Sequence, residues 1–211
     1  MKGIVLRDWE VRGIQDGRKS RITRVLRLPK FIEECTDDTY TLYAEGTAYA
    51  NQNLKELFND GYFNAPYKSG DILFVRETWK YGAGRGTPAY QYKADFTDQE
   101  LQEDYLKWHP SIHIPKEAAR IFLRVTGAKV ERLQDITDLE SVAAECFNCQ
   151  KCYYFEWCDQ GHGETDCFMN AWNHDHLRHL DLYGYDKNPW VYVYEVERVS
   201  KEDAYAQRNK I

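Results

Sequence analysis

Five of the six cysteines lie between residues 146 and 167, and their spacing is typical of a metal site. Cys149 and Cys152 form a C-x-x-C pair, which brings two thiolates to one tetrahedral ion. We expect a structural zinc site with the ligands Cys149, Cys152, Cys158 and Cys167. Cys146 or His162 could substitute for one of these ligands. The stretch contains few aliphatic residues, so bound metal would supply the energy for its folding. An iron–sulfur cluster, or free or disulfide-paired cysteines, are the alternatives.

A second chemical signal is a basic run that follows a predicted helix stop at Gly17. Four of the eight residues from 17 to 24 are basic, namely Arg18, Lys19, Arg21 and Arg24. The whole chain carries a formal net charge of −6, so this local excess of positive charge indicates a site for a phosphate or a carboxylate. The alternative is an exposed edge strand, on which charge prevents pairing with another chain.

Aromatic residues further along the chain could stack on a nucleic-acid base. The candidate rings are Trp79, Tyr90, Tyr92 and Trp108. The cations that could then hold a phosphate or a carbonyl oxygen are Lys19, Arg21, Arg24 and Arg76. The alternative is that these rings form the core and the rim of a barrel.

Serine and histidine side chains offer weaker signals. Ser111 and His113 are two residues apart in a segment that is predicted to be extended, so they would face the same way and could form a Ser–His pair. No acid partner is identifiable, and the chain has no G-x-S-x-G motif. Three further histidines at positions 174, 176 and 179 are interpreted as surface residues of a helix.

The composition is that of a folded protein, with 43% hydrophobic and 29% charged residues. The negative net charge argues against a protein that coats nucleic acid non-specifically, although a local basic pocket remains compatible with it. No run of about 18 apolar residues predicts a membrane span. Charged residues come too early at the N-terminus for a signal peptide. We therefore expect a cytoplasmic protein with reduced thiols, in which the isolated Cys35 is buried as a small hydrophobe.

Hydrophobic patterning then gives the elements that must position these residues. The predicted strands are 2–6, 20–28, a hairpin over 40–50 with its turn at Glu45-Gly46, 72–75, 89–94, 121–125, 129–133 and 190–197. The predicted helices are one that Asp8 caps and that runs through Ile14, then 54–58, 97–107, 137–145 and 168–182. Residues 108–115 are predicted to be extended, and the polar tail from Lys201 is expected to fray.

Many short strands with few helices between them predict an α+β fold, either a small β-barrel or a strongly curled sheet with peripheral helices. The spacing does not suit a parallel sheet wound by crossover helices. A length of 211 residues suits a single domain, 1–211, and the cysteine-rich stretch at 146–167 is interpreted as a metal-binding insert within it.

Five separated segments occur in a characteristic order, at residues 9–24, 70–79, 108–120, 133–137 and 188–199, and the second reads GDILFVRETW. Together they resemble the ASCH-domain proteins of bacteriophages and prophages, which belong to the PUA-like group of small β-barrels. The resemblance covers most of the chain outside residues 30–66 and 146–166. It implies a PUA-like barrel with a cleft that is lined by the basic segment and that takes RNA or a modified nucleoside.

The resemblance also implies roles for single residues. Small bacterial members are similar to N(4)-acetylcytidine amidohydrolases, which use a lysine, a threonine three residues later, and a glutamate on a following helix. The candidate catalytic residues are therefore Lys19, Thr23 and Glu145, with Ile22 at the position three residues after the lysine. The candidate ligand-binding residues are Arg21, Arg24, Arg76, Glu77, Trp79, Tyr92, Trp108, Ser111 and His113.

Three functional hypotheses follow. The leading one is a binding module whose basic cleft recognises RNA or a modified nucleoside. The second is an enzyme that uses the same cleft, either an amidohydrolase of an acylated cytidine or a ribonuclease. The third is a phage interaction protein that blocks a host protein through the zinc insert.

Overall fold

The computed structural model describes residues 1–35, 38–82, 86, 88–103, 107–136 and 164–208. The described strands are β1 (Lys2–Val5), β2 (Arg21–Val25), β3 (Ile32–Glu34), β4 (Tyr40–Ala44), β5 (Thr47–Gln52), β6 (Ile72–Arg76), β7 (Trp79–Tyr81), β8 (Tyr90–Tyr92), β9 (Phe122–Arg132) and β10 (Trp190–Val199). The described α-helices are α1 (Asp8–Gln15), α2 (Leu54–Asn59), α3 (Asp98–Glu103), α4 (Glu164–Asp175), α5 (Leu180–Tyr183) and α6 (Lys201–Arg208). The fold is therefore mixed α+β, as the sequence predicts. Within these ranges, no helix is both long and apolar enough to cross a membrane.

The central sheet has five strands in the order β1-β6-β9-β10-β2. β1 and β6 are parallel, whereas the other neighbouring strands are antiparallel. β9 is continuous where two separate strands were predicted. Its pairing with β10 shifts register between Glu195 and Val196, which face Gly127 and Val125, and Thr126 is the extra residue of this β-bulge. A bulge of this kind bends the strand that carries it and increases the local twist.

The two edge strands of this sheet, β1 and β2, approach each other, and α1 connects them in the chain. Arg24 on β2 donates a hydrogen bond from Nη2 to the carbonyl oxygen of Val5 on β1, at 2.9 Å. A side chain thus spans the gap between the edges. Strand pairing closes none of the described sheets into a barrel.

Smaller sheets flank the central one. β3, β4 and β5 form an antiparallel sheet, and β7 pairs with β8. The predicted turn of the β4–β5 hairpin is confirmed, because Glu45 and Gly46 both adopt positive φ angles of 52° and 78°. Two successive residues in the left-handed region give the twist that suits a tight hairpin.

The apolar core has four described parts: three lie on the two faces of the central sheet, and the fourth joins Trp79, Ile114 and Ala118. The largest lies beneath α1, α2 and the β4–β5 hairpin and includes Val11, Ile22, Tyr40, Leu54, Leu73 and Val75. The second packs α4 against β10 through Phe168, Trp172, Val191 and Val193. The third packs α6 against β6 and β9 through Ile72, Phe74, Phe122 and Ala204. Because α1 and β6 both contribute to the largest part, packing holds the basic run against the sheet.

Several expectations about local structure are wrong. The tail from Lys201 forms α6, which is capped by Ser200 and Asp203 and anchored by the fully buried Ala204. The helix predicted over 168–182 starts earlier and ends at Asp175, before a 3-10 turn and α5. Asp8 is the first residue of α1 and not its cap. The cap is Arg7, whose backbone N–H donates to the side chain of Glu10. Cys35 is exposed, and the helix predicted over 137–145 lies outside the described residues.

Candidate functional site

Lys19, the first residue of the predicted cleft, is held by the turn that ends α1. Gly17 adopts a φ of 79°, and the backbone N–H of Lys19 then donates to the carbonyl oxygen of Gly13 at 2.9 Å. Gly13 also leaves room for the lysine stem, since a Cβ atom there would lie 3.1 Å from the Lys19 Cβ. Lys19 is only 4% exposed, and its Nζ lies 5.0 Å from the centroid of the Trp9 ring. The central cation of the basic run is therefore buried against an aromatic ring rather than solvated on a strand edge.

The carboxylate that balances this region is Glu10, which the sequence interpretation missed. Glu10 is 3% exposed and accepts hydrogen bonds from Arg24 Nη1 at 3.0 Å, Arg24 Nη2 at 3.2 Å and the backbone N–H of Arg7 at 3.0 Å. Burial alone would raise the pKa of Glu10. The positive charges of Arg24 and Lys19, together with these hydrogen bonds, outweigh burial, so the pKa of Glu10 is lowered. Glu10 is thus an ionised carboxylate that is hydrogen-bonded to Arg24 and also lies in the field of Lys19.

Arg24 and Thr23 lie on opposite faces of β2. Thr23 is buried and pairs with Val193 of the α4-facing core, whereas Arg24 shares its face with Ile22 of the largest core. Arg24 also donates to the carbonyl oxygens of Val5 and Thr23. The structure therefore joins Lys19 and Arg24 through Glu10 and directs Thr23 to the other side of the strand. The third predicted catalytic residue, Glu145, lies outside the described residues.

The remaining predicted cations, Arg21 and Arg76, are placed elsewhere. Arg21 is half-buried, with Nη2 3.8 Å from Oε1 of Glu195 on the adjacent strand. Arg76 lies on the face of β6 that carries Phe74 and packs against α6, because residues two apart on a strand share a face. Arg76 and Arg24 consequently sit on opposite faces of the central sheet.

Glu77, the predicted ligand-binding residue that follows β6, is engaged in a buried ion pair. It is 0% exposed and receives two hydrogen bonds from Arg120, Nε to Oε1 at 2.9 Å and Nη2 to Oε2 at 2.8 Å. Arg120 also bonds Asp95. Burial raises the pKa of Glu77, Arg120 opposes the shift, and the pKa remains raised. This geometry ties β6 to the turn after β8, which is a structural role.

The predicted stacking residues divide into two groups. Trp79 is the centre of the first, because His109 stacks on it at 4.7 Å and Tyr81 and Tyr90 meet it edge-on at 4.9 and 5.6 Å. Tyr92 pairs with Trp79 across the β7–β8 hairpin. Tyr81 is 59% exposed, so one ring of the cluster faces solvent.

Trp108 belongs to the second group, which surrounds Lys80. The Nζ of Lys80 lies 4.5 Å from the ring centroids of both Phe96 and Trp108, and Lys80 is almost fully buried. Successive strand residues point to opposite faces, so the rings around Trp79 and the rings around Lys80 lie on opposite sides of β7. Nothing in the pattern around Lys80 marked it as buried, and sequence reasoning missed it.

The predicted Ser–His pair is wrong in its geometry. Ser111, Ile112 and His113 form a 3-10 turn and not an extended segment. Each residue of such a turn is rotated by about 120° from the last, so Ser111 and His113 diverge. Ser111 is half-buried and His113 is exposed.

The predicted zinc ligands Cys149, Cys152 and Cys158 lie outside the described residues, together with Cys146. Cys167 lies on α4, and the description does not extend to its side chain. In the described part of the chain, no group of three or more histidine, cysteine, aspartate or glutamate side chains is arranged to hold a metal ion. The zinc site therefore stays a prediction.

One further charged pair, on the side of α4, lies near Glu10 and Arg24. Asp175, the last residue of α4, accepts hydrogen bonds from Arg7 through its side chain and its backbone carbonyl. Burial raises the pKa of Asp175 to about 6, although the positive charge of Arg7 opposes this shift. His176, interpreted from sequence as a surface residue, is half-buried and stacks on Trp172 at 4.2 Å.

Comparison with known proteins gives no relative from which to transfer a function. No family model matches the chain. No curated protein and no solved structure matches it either.

Proposed function

We propose that this chain is a PUA-like domain of the ASCH type that binds RNA or a modified nucleoside at Lys19. The observation that carries this proposal is the burial of the Lys19 ammonium against the Trp9 ring, within the field of the buried Glu10 carboxylate. A buried ammonium is costly unless it is compensated, and compensation allows it to be kept as a fixed hydrogen-bond donor.

The fold supports the proposal in two ways. The segments that resemble ASCH domains include α1 with the basic run, β6 and β10, and the last two lie in the same central sheet. The Arg24–Val5 hydrogen bond joins the two edges of that sheet, and a sheet whose edges are this near each other is compatible with the proposed PUA-like fold.

The chemistry favours a flat, polar ligand. A nucleobase offers an aromatic face and carbonyl oxygens, which suit an indole ring and an ammonium group that lie together. The negative net charge of the chain disfavours long nucleic acids, whose binding depends on many phosphate contacts. We therefore infer that the ligand is a nucleoside or a short single-stranded segment rather than a duplex.

An amidohydrolase that acts on an acylated cytidine is the second candidate, and the proximity of Glu10 to Lys19 favours it. A lysine that acts as a general base must be neutral when it accepts a proton, whereas Glu10 compensates a positive charge on Lys19. Both oxygens of Glu10 are also occupied by Arg24 and the Arg7 N–H. Binding is therefore the better supported role.

The test compares wild type with Lys19→Met and with Arg18→Gln, which removes one positive charge from an exposed neighbour that pairs with Asp16. Binding of N(4)-acetylcytidine and of short labelled RNAs is measured at low salt, and each mixture is analysed by chromatography for released cytidine. We expect Lys19→Met to weaken binding at least about tenfold, the cost of one hydrogen bond from a charged group, and Arg18→Gln to have little effect.

Three other outcomes decide between the roles. Release of cytidine that disappears in Lys19→Met would establish the hydrolase. Equal losses in both variants would mean that charge alone attracts the ligand. Binding of neither nucleoside nor RNA by the wild-type protein would refute the proposal.

A further inference from the structure

We propose a second and separate site, for a phosphate group, on the outer face of the central sheet, formed by Arg76 and Lys116 around the ring of Phe74. Arg76 ends β6, and Lys116 begins the 3-10 turn Lys116–Ala118. Arg24 and Lys19 belong to the α1 side, so this site does not rest on the proposed nucleoside function.

Two cations converge on a single aromatic ring. The Cζ of Arg76 lies 5.2 Å from the Phe74 centroid, and the Nζ of Lys116 lies 5.7 Å from it. Arg76 and Lys116 carry like charges, which repel each other. An aromatic ring compensates each only in part, since a cation–π contact at a partly exposed position is weak.

Neither cation has an acidic partner in the described part of the chain. Other arginines of the central sheet do form ion pairs with carboxylates: Arg24 pairs with Glu10, and Arg124 pairs with Glu197. Among the described residues, Arg76 and Lys116 make no ion pair and no side-chain hydrogen bond. Two unpaired cations around one ring are an arrangement that an anion would complete.

A buried donor points to the same conclusion. The Nε of Arg76 is shielded from solvent and has no hydrogen-bond partner among the described residues. Buried donors are nearly always satisfied, so this guanidinium keeps hydrogen-bonding capacity that no described residue uses. A guanidinium presents its N–H groups in a planar fork that matches the oxygens of a phosphate.

The position of the guanidinium is fixed by Gly3, which lies beside Phe74 on the parallel strand β1. A Cβ atom at Gly3 would lie 2.4 Å from Nε of Arg76 and 2.9 Å from its Cζ. Glycine at this position therefore leaves the space that the guanidinium fills. Gly3→Ala would displace the guanidinium without changing the charge of the protein, and the displaced group is the flexible end of a side chain.

The experiment follows the arginine Nε–H signals of the full-length chain by NMR. Sodium phosphate is titrated in a phosphate-free buffer, with sodium chloride at matched ionic strength as the reference. We expect the Arg76 Nε–H signal to shift and saturate with phosphate only. A second arm uses a short oligonucleotide, and a response at lower concentration there would identify a nucleic-acid phosphate as the source, whereas a response to inorganic phosphate alone would identify the free anion.

Four variants test the assignment. Lys116→Gln and Gly3→Ala are expected to weaken phosphate binding about tenfold or more, which corresponds to one charge-assisted hydrogen bond. Arg27→Gln removes a charge from an exposed position and is expected to leave binding unchanged. Lys19→Met is also expected to leave it unchanged, so the two proposals can fail separately.

An Arg76 signal that responds equally to chloride, or affinities that are the same in Gly3→Ala and wild type, would overturn the site. Thermal unfolding with and without phosphate gives an independent reading. A wild-type melting temperature that rises with phosphate, and an Arg76→Gln temperature that does not, would support it.

Discussion

The Glu10–Arg24 pair is expected to be the main polar link between α1 and the edge strand β2, and Glu10→Gln tests this. Glutamine keeps the shape of the side chain and one carbonyl acceptor, but it removes the charge that faces Arg24 and Lys19. Breaking a buried ion pair costs about 3–5 kcal/mol. The Arg24 side chain is 36% exposed, so water recovers part of this cost, and we expect a loss of about 2–3 kcal/mol in the free energy of unfolding.

Urea and thermal unfolding, followed by circular dichroism, measure this loss. For a chain of this length, the expected loss lowers the melting temperature by about 5–10 °C. Glu117→Gln is the matched control, because Glu117 is exposed and forms no ion pair within the described residues. A control effect below about 0.5 kcal/mol is expected.

The pH dependence gives the sign of the effect independently. Because the folded-state pKa of Glu10 lies below its usual value of 4.5, its contribution is fully present above that pH and is lost as the pH falls through the folded pKa. The stability difference between wild type and Glu10→Gln should therefore narrow on acidification below about pH 4.5. A difference under 1 kcal/mol at pH 7, or one that widens in acid, would refute the assigned role of Glu10.

Three further perturbations have expected outcomes. Asp175→Asn removes a carboxyl whose pKa is raised from 3.8 to about 6. A raised carboxyl pKa stabilises the folded state at low pH. The free energy of unfolding of wild type, relative to the variant, should therefore fall by about 2–3 kcal/mol between pH 4 and pH 7 in urea titrations. Arg120→Gln leaves the fully buried Glu77 without its bidentate partner and should cost about 3–5 kcal/mol, whereas Arg124→Gln, from an exposed pair with Glu197, should cost under about 1 kcal/mol. Ala204→Glu places a charge in the core under α6 and should lower the melting temperature by about 6 °C or more, whereas Ala206→Glu, at an exposed position, should not.

Local chemistry explains most of what could be predicted from the sequence. The turn at Glu45-Gly46 and the helix stop at Gly17 depend on glycine's access to positive φ, and both are present. The strands β6 and β10 were predicted because apolar and β-branched residues are concentrated there. These signals act over a few neighbouring residues, so a sequence window contains all the information that they need.

The failures arise where tertiary contacts decide. The tail from Lys201 looks polar in every window, yet Ala204 needs only one apolar contact surface on β6 and β9 to anchor a helix. Ser111 and His113 were placed on one face because an extended segment was assumed, and a 3-10 turn separates them. In each case the deciding partner lies far away in the sequence or in an unrecognised turn.

Glu10 shows the same limitation at the candidate site itself. In the sequence it is an ordinary acidic residue in the first turn of a helix, where carboxylates are common because they stabilise the helix dipole. Only the approach of β2 to β1 brings Arg24 into bonding distance of the buried carboxylate, which also lies in the field of Lys19. The basic run was recognised because its charges are adjacent in the chain, whereas its counter-charge is adjacent only in the fold. A search for the partner of a buried lysine should therefore begin with acidic residues on the helix that precedes it.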